Sequence, residues 1–197
     1  MDRLPARLYL TGFMGSGKST IGRILANVLG YEFADLDRMI EAEIGEPIPA
    51  FFKRWGEDAF RAIESEVLHR TATMAPYVIA TGGGTLARPE YMDFARAHGW
   101  VIYLKLTPEE LTRRLKYTRQ RPLLWDAQGN PLREEALRMR IADLLEQREP
   151  VYKQAHLCVE TGGLSVGQAV DKVVTALRAY VKAATGGYDR VRRKEVR

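Results

Sequence analysis

Short apolar runs alternate along the chain with longer amphipathic segments, the pattern of a parallel sheet whose strands are joined by helices. The runs predict strands over residues 7–11, 32–35, 77–81, 100–106 and 156–160. Between them, apolar residues recur at three- and four-residue spacing. Ile21, Ile24, Leu25, Val28 and Leu29 form one such stripe, and Val166, Ala169, Val170, Val173 and Leu177 form another. Two regions interrupt the alternation. Residues 36–75 hold too much helix for a simple crossover and read as an inserted helical subdomain. Residues 116–131 are rich in turn formers and charge and read as a long loop of the kind that serves as a lid; helix resumes over 132–149. An α/β fold with a five-stranded parallel sheet is expected, as one domain over 1–184 followed by a tail over 185–197.

Composition narrows this further. Of the 197 residues, 46% are hydrophobic and 28% charged, close to the globular average, which excludes wholesale disorder. No apolar run approaches the roughly 18 residues of a membrane span, and the N-terminus runs into a strand without a leader-like apolar stretch. The lone Cys158 cannot form an internal disulfide, and His69, His98 and His156 lack metal-ligand spacing. A cytoplasmic protein is expected. The net charge of +5 is concentrated in the tail, where Arg190, Arg192, Arg193, Lys194 and Arg197 outnumber Asp189 and Glu195. The rest of the chain is nearly balanced and shows no interleaving of basic and aromatic residues, so neither nucleic acid nor membrane is an expected partner.

The strongest chemical signal is Gly12-Phe13-Met14-Gly15-Ser16-Gly17-Lys18-Ser19, directly after the first strand and at the start of a helix. Glycines let the backbone wrap a phosphate and turn successive N–H groups inward, and the helix N-terminus adds positive potential. Gly15, Ser16, Gly17, Lys18, Ser19 and Thr20 are therefore the candidate ATP contacts. Lys18 would reach the β- and γ-phosphates, and the Ser19 hydroxyl would ligate Mg2+.

A phosphate loop leaves the acceptor open. Motors and helicases need longer chains, and no guanine-specific Asn-Lys-x-Asp element is present. Asp35 and Asp37 close the second strand, where alternation on an extended segment would turn both carboxylates into the crevice. One could serve a magnesium ion and the other accept a proton; equally, one could cap the following helix. Gly82, Gly83 and Gly84 follow the third strand, as a ligand approach or as a flexible turn.

These elements, with Gly56-Glu57-Asp58-Ala59-Phe60-Arg61-Ala62-Ile63-Glu64, Arg121-Pro122-Leu123-Leu124 and Arg148-Glu149-Pro150-Val151-Tyr152, stand in an order that resembles the shikimate kinases. The resemblance implies a three-layer P-loop fold of the nucleoside monophosphate kinase type. It implies ATP-dependent phosphorylation of the 3-hydroxyl of shikimate, with Mg2+ as cofactor, by a monomer. Asp37, Arg61, Gly82, Gly83, Gly84 and Arg148 become substrate contacts, with Glu64 orienting Arg61 and Phe52 and Phe60 as walls or as core. Lys18, Asp37 and Arg121 become catalytic, Arg121 reaching the transferring phosphoryl group and ATP from the lid, and Ser19 and Asp35 serve the metal. A gluconate kinase, another small-metabolite kinase of related build, or a non-catalytic kinase-like binding module are the alternatives. Arg114 has no firm role, because the Arg-Thr pair usual in the family before the lid arginine is lacking.

Overall fold

The computed structural model describes residues 4–117, 122–126 and 128–192, with backbone alone for Pro122 and residues 184–192. Five strands form one sheet: β1 (Arg7–Thr11), β2 (Glu32–Asp35), β3 (Tyr77–Ala80), β4 (Trp100–Lys105) and β5 (Leu157–Glu160). Their order is β2-β3-β1-β4-β5, and every pairing is parallel. The helices are α1 (Lys18–Leu29), α2 (Leu36–Ile44), α3 (Ile48–Arg70), α4 (Pro89–His98), α5 (Pro108–Leu115), α6 (Glu134–Tyr152) and α7 (Val166–Arg192). The third, fourth and fifth strands are each one residue shorter at one end than the hydrophobic runs suggest, because Thr81, Leu106 and His156 belong to the connections.

Period-two alternation divides the strand residues between two cores. Leu8, Leu10, Ile102 and Leu104 face α1 and α7, packing on Ile21, Leu25, Val173 and Leu177. Tyr9, Ala34, Ile79 and Val101 face the other way, onto Leu36, Ile40, Phe60, Leu68 and Met92 of α2, α3 and α4. A third cluster caps the carboxyl end of the sheet: Phe13 and Met14 pack with Leu111 and Leu115 of α5 and Leu137, Ile141 and Leu145 of α6. This is the expected three-layer arrangement, helix–sheet–helix.

Two details of the stripes differ from expectation. Ile24 and Val28 are exposed, as is Val166. On α1 the inward arc runs through Ile21, Leu25 and Ala26, and positions 24 and 28 lie one step round the helix from it. Helix α6 begins at Glu134 rather than 132 and continues to Tyr152. The inserted region holds α2 and α3, and α3 is kinked at Gly56 (φ 80°, ψ −178°), which re-aims its second half toward the sheet end. Helix α7 runs without a break through Arg192, past the point where the tail was expected to start. Among the described residues no helix is long and apolar enough to cross a membrane.

Candidate active site

The phosphate loop leaves β1 at Gly12 (φ 138°), where a Cβ would stand 2.7 Å from the Leu104 carbonyl oxygen of β4, so the sharp exit requires glycine. Helix α1 starts at Lys18 behind Gly17. The Lys18 side chain is buried and its ammonium donates to the carbonyls of Gly12 (2.8 Å) and Phe13 (3.0 Å), which places the charge inside the curve of the loop. Arg114 of α5 holds the outer side of the loop, donating to the carbonyls of Gly15 (3.2 Å) and Ser16 (3.3 Å). Ser19 and Thr20 are exposed on the first turn of α1.

Of the two readings of the aspartate pair, the structure follows the capping one. The strand stops at Asp35 and α2 begins at once, so Asp35 and Asp37 do not share an extended segment. Asp35 caps α2, its carboxylate accepting the Arg38 N–H (3.5 Å). The cap satisfies one of the N–H groups that a new helix leaves orphaned, and this lets the helix nucleate directly at the strand end. Asp37 falls on the first turn of α2, and its Oδ1 lies 2.6 Å from where a Cβ on Gly82 would stand. The Thr85 hydroxyl lies 2.7 Å from the same point, so Gly82 is enclosed between two polar side chains and admits no third.

The glycine turn after β3 is the meeting point of the other candidates. The Gly83 carbonyl accepts from the Arg148 guanidinium (3.3 Å) and from the Tyr152 hydroxyl, both on α6. A Cβ on Gly83 would stand 3.0 Å from the Met14 backbone nitrogen, so the turn abuts the phosphate loop. Arg148 also lies over the Phe13 ring, 5.7 Å from its centroid. Burial pushes the Tyr152 hydroxyl up to about 12, against a smaller pull from Arg148, so it remains a donor at neutral pH.

Arg61 approaches from the second half of α3. Its Nη1 donates to Glu64 (2.6 Å), and its Nε (3.1 Å) and Nη2 (2.8 Å) both donate to Glu57 Oε1. Burial lowers the Arg61 pKa, but Glu64 and Glu57 outweigh it and hold the guanidinium above its ordinary value. The other oxygen of the buried Glu64 accepts the Thr85 hydroxyl (2.7 Å). Asp37, Arg148 and the phosphate loop thus meet at residues 82–84, and Arg61 is tied to the adjoining Thr85 through Glu64. Phe60 is buried with Phe52 packed on it (ring centroids 4.5 Å apart), which makes both part of the core under α3. Arg121 lies outside the described residues, as do residues 118–120 and Ala127 of the expected lid.

A family model described as shikimate kinase matches residues 14–178. The chain belongs to the shikimate kinase family. A curated shikimate kinase of Chlorobium chlorochromatii is 42% identical over 182 residues, covering 92% of this chain and 96% of that one. A solved shikimate kinase of Acinetobacter baumannii in complex with shikimate superposes with a TM-score of 0.79 at 34% identity, covering 89% of this chain and 94% of that one. A gluconokinase of Sinorhizobium meliloti, at 20% identity and a TM-score of 0.58 over 95% of this chain and 98% of that one, shares the fold alone.

Sequence reasoning gave no site role to three residues of this shikimate kinase. Tyr152 was detectable, since it stands one helical turn after Arg148 and shares its face. Arg114 was noted without a firm role and Thr85 not at all; only the packing of α5 on the phosphate loop and of the glycine turn on α3 reveals them.

Proposed function

We propose that the shikimate pocket is the space beside the phosphate loop bounded by Asp37 and Arg148 at the Gly82–Gly84 turn and by Arg61, tied to Thr85 through Glu64. This arrangement carries the residue assignment. Membership of the family carries the reaction itself, ATP-dependent phosphorylation of shikimate. The acceptor is assigned as the 3-hydroxyl. The substrate offers one carboxylate and three hydroxyls, and two arginines beside one aspartate are the complementary set. Arg61 takes the carboxylate on the edge that Glu57 occupies in the free protein. Glu57 is 62% exposed, and an exposed ion pair of this kind holds weakly enough to be exchanged. Glu64 stays on the opposite edge. Arg148 and the N–H groups of the glycine turn complete the ring, and Asp37 receives the proton of the attacking hydroxyl.

ATP is held by Gly15, Ser16, Gly17, Lys18, Ser19 and Thr20, with loop N–H groups on the phosphates and Lys18 on the β- and γ-oxygens. Phosphoryl transfer passes through a loose transition state, so positioning and charge stabilisation do most of the catalysis. Arg121, arriving from the lid over residues 116–131, stabilises the transferring group. The donor set fits Mg2+ held mainly by phosphate oxygens and water: a hydroxyl at Ser19 and a carboxylate at Asp35 would suffice beside them. When bound, the ion would neutralise charge on the β- and γ-phosphates. The insertion over 36–75 is assigned as the substrate-binding part of a single domain over 1–184, in a cytoplasmic monomer.

The test is a coupled ADP-release assay with shikimate, gluconate and nucleoside monophosphates as acceptors. Shikimate alone is expected to support turnover, and faster turnover with gluconate or a nucleotide would overturn the assignment. Lys18→Met is expected to cut turnover by about 10² or more with the fold intact. Near-parental activity in that variant would remove Lys18 from the mechanism.

A further inference from the structure

Thr85 lies in the polar network, and its hydrogen bonds run to Glu64, Gly82 and Arg88. Its side chain is fully buried. Its backbone N–H closes the glycine turn on the Gly82 carbonyl (3.2 Å), and its hydroxyl donates to Glu64 Oε1 (2.7 Å). Glu64 is 2% exposed, and its second oxygen holds Arg61 Nη1 at 2.6 Å. One hydroxyl therefore joins the turn that carries Gly82 and Gly83 to the carboxylate that orients Arg61. We propose that Thr85 is a positioning residue that sets the orientation of the Arg61 guanidinium through Glu64, and with it the preference for a carboxylate-bearing acceptor. This rests on the reading that Arg61 meets the substrate carboxylate.

The physical reason is satisfaction of a buried carboxylate. Glu64 has two oxygens away from water; Arg61 holds one and Thr85 the other. Without the hydroxyl, Glu64 is left with a buried oxygen lacking its donor, and its cheapest relief is to rotate and draw Arg61 onto both oxygens. A guanidinium turned in that way presents its remaining N–H groups at the wrong angle for a bidentate carboxylate. The loss falls on the substrate carboxylate alone. ATP is held by the loop and α1, whereas the hydroxyl of Thr85 is bonded to Glu64.

The experiment compares the parent with Thr85→Val, which keeps shape and removes the hydroxyl, and Thr85→Ser, which restores it. Thr85→Val is expected to raise the shikimate KM about 10- to 30-fold, the lower part of the range for losing a hydrogen bond to a charged group, with the ATP KM within about twofold. Thr85→Ser is expected to return the shikimate KM to within about threefold of the parent. The ratio of kcat/KM for shikimate over its carboxamide analogue is expected to shrink in Thr85→Val by the same factor, a change that mere loosening of the fold would not produce. A parental shikimate KM in Thr85→Val, an equal rise in both KM values, or no rescue by serine overturns the proposal. If the valine variant does not fold, Thr85→Cys decides. Its thiol is a weak donor, so a smaller rise is expected, and a parental value overturns the proposal. Arg61→Lys separates the two readings. If it raises the shikimate KM while Thr85→Val does not, only the role of Thr85 fails. If Arg61→Lys leaves that KM unchanged, the assignment of Arg61 fails first.

Discussion

At Asp37 two roles are separated by a single atom. Asparagine keeps the size and one acceptor oxygen but cannot take a proton from the attacking hydroxyl. Asp37→Asn is expected to lower kcat by about 10²-fold, the lower end of general-base effects, with ATP affinity unchanged. Steady-state rates with each substrate varied read this directly, and a loss of less than about threefold would make Asp37 a spectator. Asp35→Asn should keep its cap on α2, since Asn and Asp cap equally well. Its activity is instead expected to become more dependent on magnesium concentration. Gly82 limits the same carboxylate from behind. In Gly82→Ala the new methyl would stand within 2.6 Å of Asp37 Oδ1 and 2.7 Å of the Thr85 hydroxyl, so both side chains must move. The expected result is a fall of about 10²-fold or more in kcat/KM for shikimate, with about 1–3 kcal/mol of stability lost to overpacking. Chemical denaturation beside the kinetic assay distinguishes the two losses.

At the scale of elements, the backbone ladder between β4 and β5 is extended at its start by a side-chain ring. The ladder pairs Ile102 with Leu157, and one step earlier His156 Nδ1 accepts the Val101 N–H (3.0 Å). The ring must be neutral at Nδ1 to do so. Burial, and then Arg96 nearby, lower the His156 pKa below its ordinary 6.5. The unfolded chain therefore binds the proton more readily, and stability falls with pH. The loss is expected to begin near pH 6.5, to proceed by at most about 1.4 kcal/mol per pH unit, and to level off below the depressed folded-state pKa. Urea midpoints measured from pH 8 to 5 test this. His156→Asn, which keeps an acceptor, is expected to flatten that part of the curve, and parallel curves would assign the acid limb to other groups.

At the scale of the whole molecule, the three clusters show which parts of the chain the fold needs. Among the described side chains, the α7 residues in the core are Ala169, Val170, Val173, Val174 and Leu177, with Tyr180 packed beside them against Trp100. Ending the chain after Ala184 keeps all of them. The truncated protein is expected to retain full shikimate-dependent turnover and a melting temperature within about 2 °C, the shift that a few tenths of a kcal/mol produce at this size. A fall of many degrees would show that residues 185–197 dock on the body.

Local rules settled much of this protein from its sequence. Strand positions followed from short apolar runs between amphipathic segments, the phosphate loop from its glycines and its Lys18, and the family from the order of its motifs. Arg61 and Glu64 came only with the family resemblance, and helical spacing then explains why positions three apart are neighbours. The Asp35–Asp37 pair had two readings in sequence, and the capping one holds for Asp35: α2 begins directly after the strand, so period-two alternation does not apply. What only the tertiary structure decided were the contacts between elements distant in sequence: Thr85 on Glu64, Tyr152 and Arg148 on Gly83, Arg114 on the phosphate loop. A buried threonine looks the same in sequence whether it fills space or satisfies a carboxylate. The difference arises only when packing removes water from both partners and leaves each as the other's hydrogen-bond partner.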